Sequence, residues 1–178
     1  MRKALAVLTG LAVLAVAAPA TPATAAARAF ALGDSVMLGA RAELEKRGLR
    51  VDASVSRSFA MGAALLASRR AQGLLPKVVV IHLGSNGPIT RQQFDALMKP
   101  LKRKQAIVLT VKEPRAWEEG VNSVIRAGAK RWKNATLLDW HWHATRHPEW
   151  LYDDGIHLRP AGAVAYARLI SKAVKKAS

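Results

Sequence analysis

Ser35 follows Gly33 and Asp34 at the end of a short apolar run, in FALGDSVMLGA (residues 30–40). A serine hydroxyl becomes a nucleophile when a base takes its proton, an acid orients that base, and donors receive the oxyanion formed on the attacked carbonyl. Candidates for each role are present. In YDDGIHLRP (152–160), Asp154 and His157 lie three apart, so one turn of chain can set the carboxylate against ring Nδ1 and leave Nε2 to face Ser35. Asp153, four before His157, is the second choice for the orienting acid. Acidic and histidine residues also cap helices, and a helix pattern follows His157. Asn86, in HLGSNGP (82–88), can donate its side-chain NH₂ to an oxyanion, although Asn-Gly is also an ordinary turn pair. SVSRSFAMG (54–62) can offer a backbone N–H.

These residues do chemistry only if the chain brings them together. Apolar runs at 29–32, 50–55, 77–83, 106–111 and 135–140 read as five strands. KVVVIHL (77–83) is the strongest, β-branched and apolar on both faces as a buried parallel strand requires. Helical spacing fills the intervals: 36–47, 59–73, 90–103 with Pro100 a disruption near its end, 117–132, and a final helix from Pro160. This alternation predicts an α/β domain, a three-layer sandwich around a five-stranded parallel sheet. Open sheets of this kind build sites beyond the carboxyl ends of their strands. Ser35 follows the first strand, VSRS the second and GSNG the third, so the polar residues fall on one edge.

Composition bounds the class. Arg2 and Lys3 precede the apolar run ALAVLTGLAVLAVAA, and PATPATAAA follows. This pattern predicts a secretory signal peptide over 1–27, cleaved near Ala25 or Ala27, ahead of a single domain over 28–178. The run is shorter than the roughly 20 residues of a spanning helix. The absence of cysteine excludes a disulfide framework, a thiol nucleophile and a thiolate zinc site. The formal net charge of +16 suits association with polyanions, such as anionic wall polymer or a membrane surface. Because the basic residues are scattered, specific nucleic-acid recognition is not expected. The chain is expected to be extracellular, associated with the cell envelope, and a monomer.

His141, His143 and His147 cluster in DWHWHATRHPEW (139–150), but their spacing matches no helical zinc motif, so no metal is expected. Trp140, Trp142 and Trp150 either line a cleft where a sugar ring could stack or belong to the core.

In order, Gly-Asp-Ser near the start, Gly-x-Asn after the third strand and Asp-x-x-His before the last helix resemble the SGNH (GDSL-type) hydrolase superfamily. The likeness covers nearly all of 28–178 and implies a flavodoxin-like fold. It implies Ser35 as nucleophile, His157 as general base and acid, Asp154 as its orienting partner and Asn86 as oxyanion donor. The Ser35 N–H and one from the second-strand loop would complete the oxyanion site. Two positions depart from the lipolytic pattern: Gly87 stands where many members carry Asp, and Ser56 where they carry Gly. A backbone donor works from serine as well as from glycine, so Ser56 is the expected second donor, with Gly62 the fallback. GDSVMLGA, VDASVSR, HLGSNG and DGIHL look more like the extracellular domains of peptidoglycan O-acetyltransferases than like lipases. The resemblance implies a serine esterase for O-acyl, chiefly O-acetyl, esters of envelope glycan, needing no cofactor. The alternatives are transfer to a sugar hydroxyl by the same triad, and a non-catalytic module that binds anionic wall polymer. The α/β-hydrolases also run Ser, acid, His, but their Gly-x-Ser-x-Gly is absent, since Met37 stands two after Ser35.

Overall fold

The computed structural model describes residues 28–178, so the predicted signal peptide lies outside the described residues. Five strands alternate with helices: β1 (Ala29–Gly33), α1 (Ser35–Gly39), α2 (Arg41–Glu45), β2 (Leu49–Ala53), α3 (Phe59–Ala71), β3 (Val78–His82), α4 (Arg91–Met98), β4 (Gln105–Leu109), α5 (Glu118–Arg131), β5 (Ala135–Leu138), α6 (Trp140–Arg146) and α7 (Pro160–Ala177). All pairings are parallel and the sheet order is β2-β1-β3-β4-β5. The fold is the expected three-layer α/β sandwich.

Alternation along the strands divides the core. Ala29, Ala31, Val78, Val80, Ile107 and Leu109 face one layer and pack with Leu44, Trp140, Tyr166 and Ile170. Phe30, Leu32, Val79, Ile81 and Val108 face the other and pack with Leu66, Phe94, Leu97 and Ile125. The central strands are apolar throughout because both of their faces are covered.

Several segments differ from the periodic reading, among them the strand expected over 106–111, which runs Gln105–Leu109. The helix expected over 36–47 is broken into α1 and α2, where Gly39 is a poor helix former and the Ala40 N–H turns back to Met37 O at 3.1 Å. The strand expected to reach Val55 stops at Ala53, because its one neighbour, β1, ends at the paired Gly33. The strand expected to reach Trp140 stops at Leu138, since Asp139 turns its carboxylate to the Trp142 N–H at 3.1 Å and caps α6. The Pro100 disruption is a short 3₁₀ turn, Lys99–Leu101, after α4.

The chain order leaves β1 in opposite directions to β2 and, later, β3. The crevice beyond the carboxyl ends of β1 and β3 is therefore the topological switch point, where such sheets bind ligands. Ser35 and Asn86 are delivered there directly.

Candidate active site

Ser35 opens α1, so its N–H is among those with no intrahelical acceptor. The turn beneath it is tight. Asp34 is fully buried and its Oδ1 accepts from Val36 N at 3.1 Å, while its own N–H donates to His82 O at 3.2 Å. At Gly33 an added Cβ would stand 2.3 Å from Met37 Cβ, so only glycine admits this strand-to-helix turn.

The loop between α6 and α7 carries Asp154 and His157. An antiparallel bridge joins Leu151 to Leu158, and Tyr152 N donates to His157 O at 2.8 Å. At its tip, Asp154 Oδ1 accepts from the N–H groups of Ile156 at 2.9 Å and His157 at 3.0 Å. Its Oδ2 lies 2.7 Å from His157 Nδ1, and His157 Nε2 lies 3.0 Å from Ser35 Oγ. The three side chains therefore form one continuous run of hydrogen bonds across 122 residues of sequence separation. Burial would raise the Asp154 pKa, but the His157 ring and the two backbone N–H groups outweigh it and hold the carboxyl below its usual range. Asp153 is paired with Arg159 Nη2 at 2.7 Å, so Asp154 and not Asp153 meets the ring.

The second-strand loop closes the other side. Ser56 has φ +55°, a left-handed backbone at a non-glycine residue. The next residue, Arg57, is buried, and its guanidinium reaches Gly33 O at 3.2 Å, Asp52 O at 2.5 Å and Asp52 Oδ1 at 2.7 Å. Asn86 Nδ2 donates to Arg57 O at 3.3 Å. Arg57 thus links the ends of β1, β2 and β3. The Gly62 N–H is committed to Ser58 O within α3, and Gly62 packs under Leu83, so it has no donor to offer.

Two residues near the site carried no sequence signal. Arg57 looked like any cation in a loop. Glu113, in the loop after β4, is only 2% exposed and pairs with Arg115 Nε at 3.0 Å. Burial pushes its carboxyl up, opposed by Arg115 and aided by the negative charges of Asp34 and Glu118.

The Trp and His segment is resolved by α6. Trp140 is buried, meets Tyr166 edge-on at 5.0 Å and stacks on Trp150 at 6.1 Å, so it is core and not a platform. Trp142 is exposed, with the Arg146 guanidinium 4.0 Å over its ring. His141 pairs with Glu118 at 3.0 Å and His147 with Glu149 at 2.9 Å. A cleft of about 680 Å³ opens beside the Asp154 loop, lined by Lys112, Thr145, Glu149, Tyr152, Asp153 and Arg159 among others.

The switch-point crevice and the Ser–His–Asp run define a domain of the SGNH (GDSL-type) hydrolase class. Solved structures agree. The C-terminal catalytic domain of peptidoglycan O-acetyltransferase A from Streptococcus pneumoniae, a structure with a methylsulfonyl adduct, superposes with TM-score 0.72 and 28% identity over 84% of this chain and 93% of that one. A GDSL-like lipase from Bacteroides thetaiotaomicron shares the fold at TM-score 0.68 and 17% identity, covering 89% of this chain and 93% of that one. The homologues carry the name O-acetyltransferase, two of them specifically for peptidoglycan. The Bacillus subtilis protein YrhL, provisionally named as one, is 34% identical over 152 residues, covering 84% of this chain and 24% of YrhL. OatA of Listeria monocytogenes, a peptidoglycan O-acetyltransferase, is 29% identical over 148 residues, covering 82% of this chain and 24% of OatA. The chain thus spans about a quarter of the length of these curated relatives. No family model matches it.

Proposed function

We propose that this chain is an exported serine enzyme acting on O-acyl, chiefly O-acetyl, esters of cell-envelope glycan. His157 Nε2 takes the Ser35 proton as Oγ attacks the ester carbonyl. Asp154 fixes the ring so that Nδ1–H faces the carboxylate, and it stabilises the imidazolium that forms. The oxyanion is received by the N–H groups of Ser35 and Ser56 and by the Asn86 amide. Imidazolium then protonates the leaving sugar oxygen, which leaves an acyl-serine. Water, deprotonated by His157, releases the acid and restores Ser35. The observation that carries this reading is the continuous Asp154–His157–Ser35 hydrogen-bond run beyond the sheet edge.

A second reading uses the same steps with a sugar hydroxyl in place of water. The names of the homologues favour it: they are O-acetyltransferases, of which this chain matches about a quarter. The deciding experiment supplies an acetyl ester donor with and without a peptidoglycan oligosaccharide. Acetate and acetylated sugar are measured for the parent and for Ser35→Ala. Acetate in both conditions, abolished by Ser35→Ala, supports the esterase. Mostly acetylated sugar makes the chain a transferase. Turnover that survives Ser35→Ala refutes the nucleophile, and no turnover leaves the wall-polymer module as the better reading.

A further inference from the structure

The parallel topology separates the molecule into two poles. Every strand ends at the Ser35 side, and the returning helices end at the opposite side. Hydrogen bonds fix that opposite pole: Arg28 N to Gly48 O at 3.0 Å, Gln105 N to Lys77 O at 2.8 Å, and Lys77 Nζ to the last residue's carbonyl, Ser178 O, at 2.6 Å.

Charge follows the same division. Exposed cations crowd the distal pole, among them Arg28, Lys77, Lys102, Arg103, Lys133 and Lys175. Most of the twelve carboxylates lie toward the Ser35 side, including Glu113, Glu118, Asp139 and Asp154. Near the distal pole, Glu43 is already paired with Lys46 and Arg47, and Asp95 with Arg131, which leaves Glu45 as an exposed carboxylate among many more cations. Helix dipoles account for cations in last turns, such as Lys175. They do not account for Arg28, Lys77, Lys102, Arg103 or Lys133, which stand in the connecting segments.

Residues 1–27, with Arg2 and Lys3 ahead of an apolar run, join the domain at Arg28 on this same pole. We propose that the distal pole docks on an anionic lipid bilayer and turns the Ser35 crevice away from it. The surface is built from many separate cations, and juxtamembrane cations of this kind attract acidic leaflets by simple proximity. The position of Arg28 favours a bilayer over a soluble polyanion, because the N-terminal apolar run joins the chain there and, until residues 1–27 are removed, holds this pole beside the bilayer.

The test is co-sedimentation of the 178-residue chain with vesicles of phosphatidylglycerol and phosphatidylcholine, against phosphatidylcholine alone. Binding to neutral vesicles reports residues 1–27, and the excess on anionic vesicles reports the pole. The excess is expected to fall steeply with added salt, since exposed charges are screened within about 10 Å at 0.1 M. Each cation removed is expected to cost about fivefold in partitioning. Lys102→Gln, Arg103→Gln, Lys175→Gln and Lys176→Gln together should therefore abolish the excess. Arg91→Gln with Arg146→Gln, away from the pole, should change it less than about threefold. Hydrolysis of a small soluble acetyl ester and the thermal melt should be unchanged in the fourfold variant, which separates docking from folding and from catalysis. Equal binding to both vesicle types refutes the proposal. So does retention of the excess by the fourfold variant, or binding to a soluble poly(glycerol phosphate) but not to vesicles.

Discussion

Arg57→Ala should uncouple the proposed oxyanion loop from Ser35, the proposed nucleophile, while the protein stays folded. The guanidinium makes three contacts, to Gly33 O, Asp52 O and Asp52 Oδ1. Removing it leaves neither neighbour wholly alone. Asp52 keeps Arg69 Nη2 at 3.2 Å, and Gly33 O keeps the Ser54 N–H at 3.3 Å. The stability loss should thus be that of charge-assisted hydrogen bonds, about 2–3 kcal/mol, and not the larger cost of stranding a buried charge. A domain with a typical reserve of about 5–15 kcal/mol survives this. Catalysis should suffer more. Asn86 rests on the Arg57 carbonyl, and Ser56 precedes it in a left-handed conformation. Loss of one oxyanion donor costs about 10²–10³ in kcat. The expected result in a steady-state acetyl-ester assay is a kcat fall of about 10², with KM within about twofold. Arg57→Lys keeps the charge but not the planar fork, and should fall between parent and alanine. Denaturant titration of each variant measures the stability loss separately. A kcat within about threefold of the parent, in a variant shown to be destabilised by about 2 kcal/mol, would refute the positioning role. The clamp also has a pH signature. Burial would raise the Asp52 pKa, but Arg57 and Arg69 hold it lower than usual. The stability it contributes is therefore present at neutral pH and lost on acidification, and Arg57→Ala should flatten that acid limb.

Asp154→Asn should preserve the loop but release the His157 ring, lowering kcat by about 10³–10⁴ with little change in circular dichroism. Because the Asp154 carboxyl is held below its usual range, its contribution to stability should disappear as pH falls below about 3.9, the ordinary aspartate value; an acid limb unchanged in Asp154→Asn would contradict this. Ser56→Gly should leave kcat within about twofold and stability within about 1 kcal/mol, since glycine accepts φ +55° freely, whereas Ser56→Val should lose about 1–3 kcal/mol in the same denaturant titration. Gly162→Ala would set a Cβ 2.1 Å from Trp150 O, the acceptor of the Arg159 N–H, and should lower Tm by about 10 °C in a thermal melt.

Local chemistry made much of the fold readable. The β-branched run at Val78–Val80 favours a buried strand, and Pro160 is well suited to open a helix. Asp154 and His157 were readable for the same reason: their spacing is local, and one turn delivers their geometry. The misreadings arose where a distant partner decides the outcome. Residues 54–55 have strand character, but pairing stops at the Ser54 N–H to Gly33 O bond of 3.3 Å, because β1 ends at Gly33. Helix α6 grows from histidine and tryptophan, weak helix formers, and depends on Asp139, itself steadied by Thr110 Oγ1 at 2.8 Å and Arg126 Nη2 at 3.1 Å. The Arg57 contacts reach Gly33, 24 residues back, which no periodicity encodes.

A single topological rule organises both ends of the molecule. Parallel strands send every loop that can carry chemistry to one edge, which is why Ser35, Ser56, Asn86 and His157 can meet although they are scattered along the chain. The same rule sends the helix carboxyl ends and the strand starts to the other edge, where positive charge is favoured by the helix dipoles and then extended by the connecting segments. Chemistry and charge are therefore not competing for surface. A strongly basic domain can keep Asp154 ionised beside His157 without surrounding the site with cations, since Arg159 is answered by Asp153 at 2.7 Å and Arg115 by Glu113 at 3.0 Å. The net charge is thus a property of the distal pole, and changing it there should leave the ester chemistry proposed at Ser35 intact.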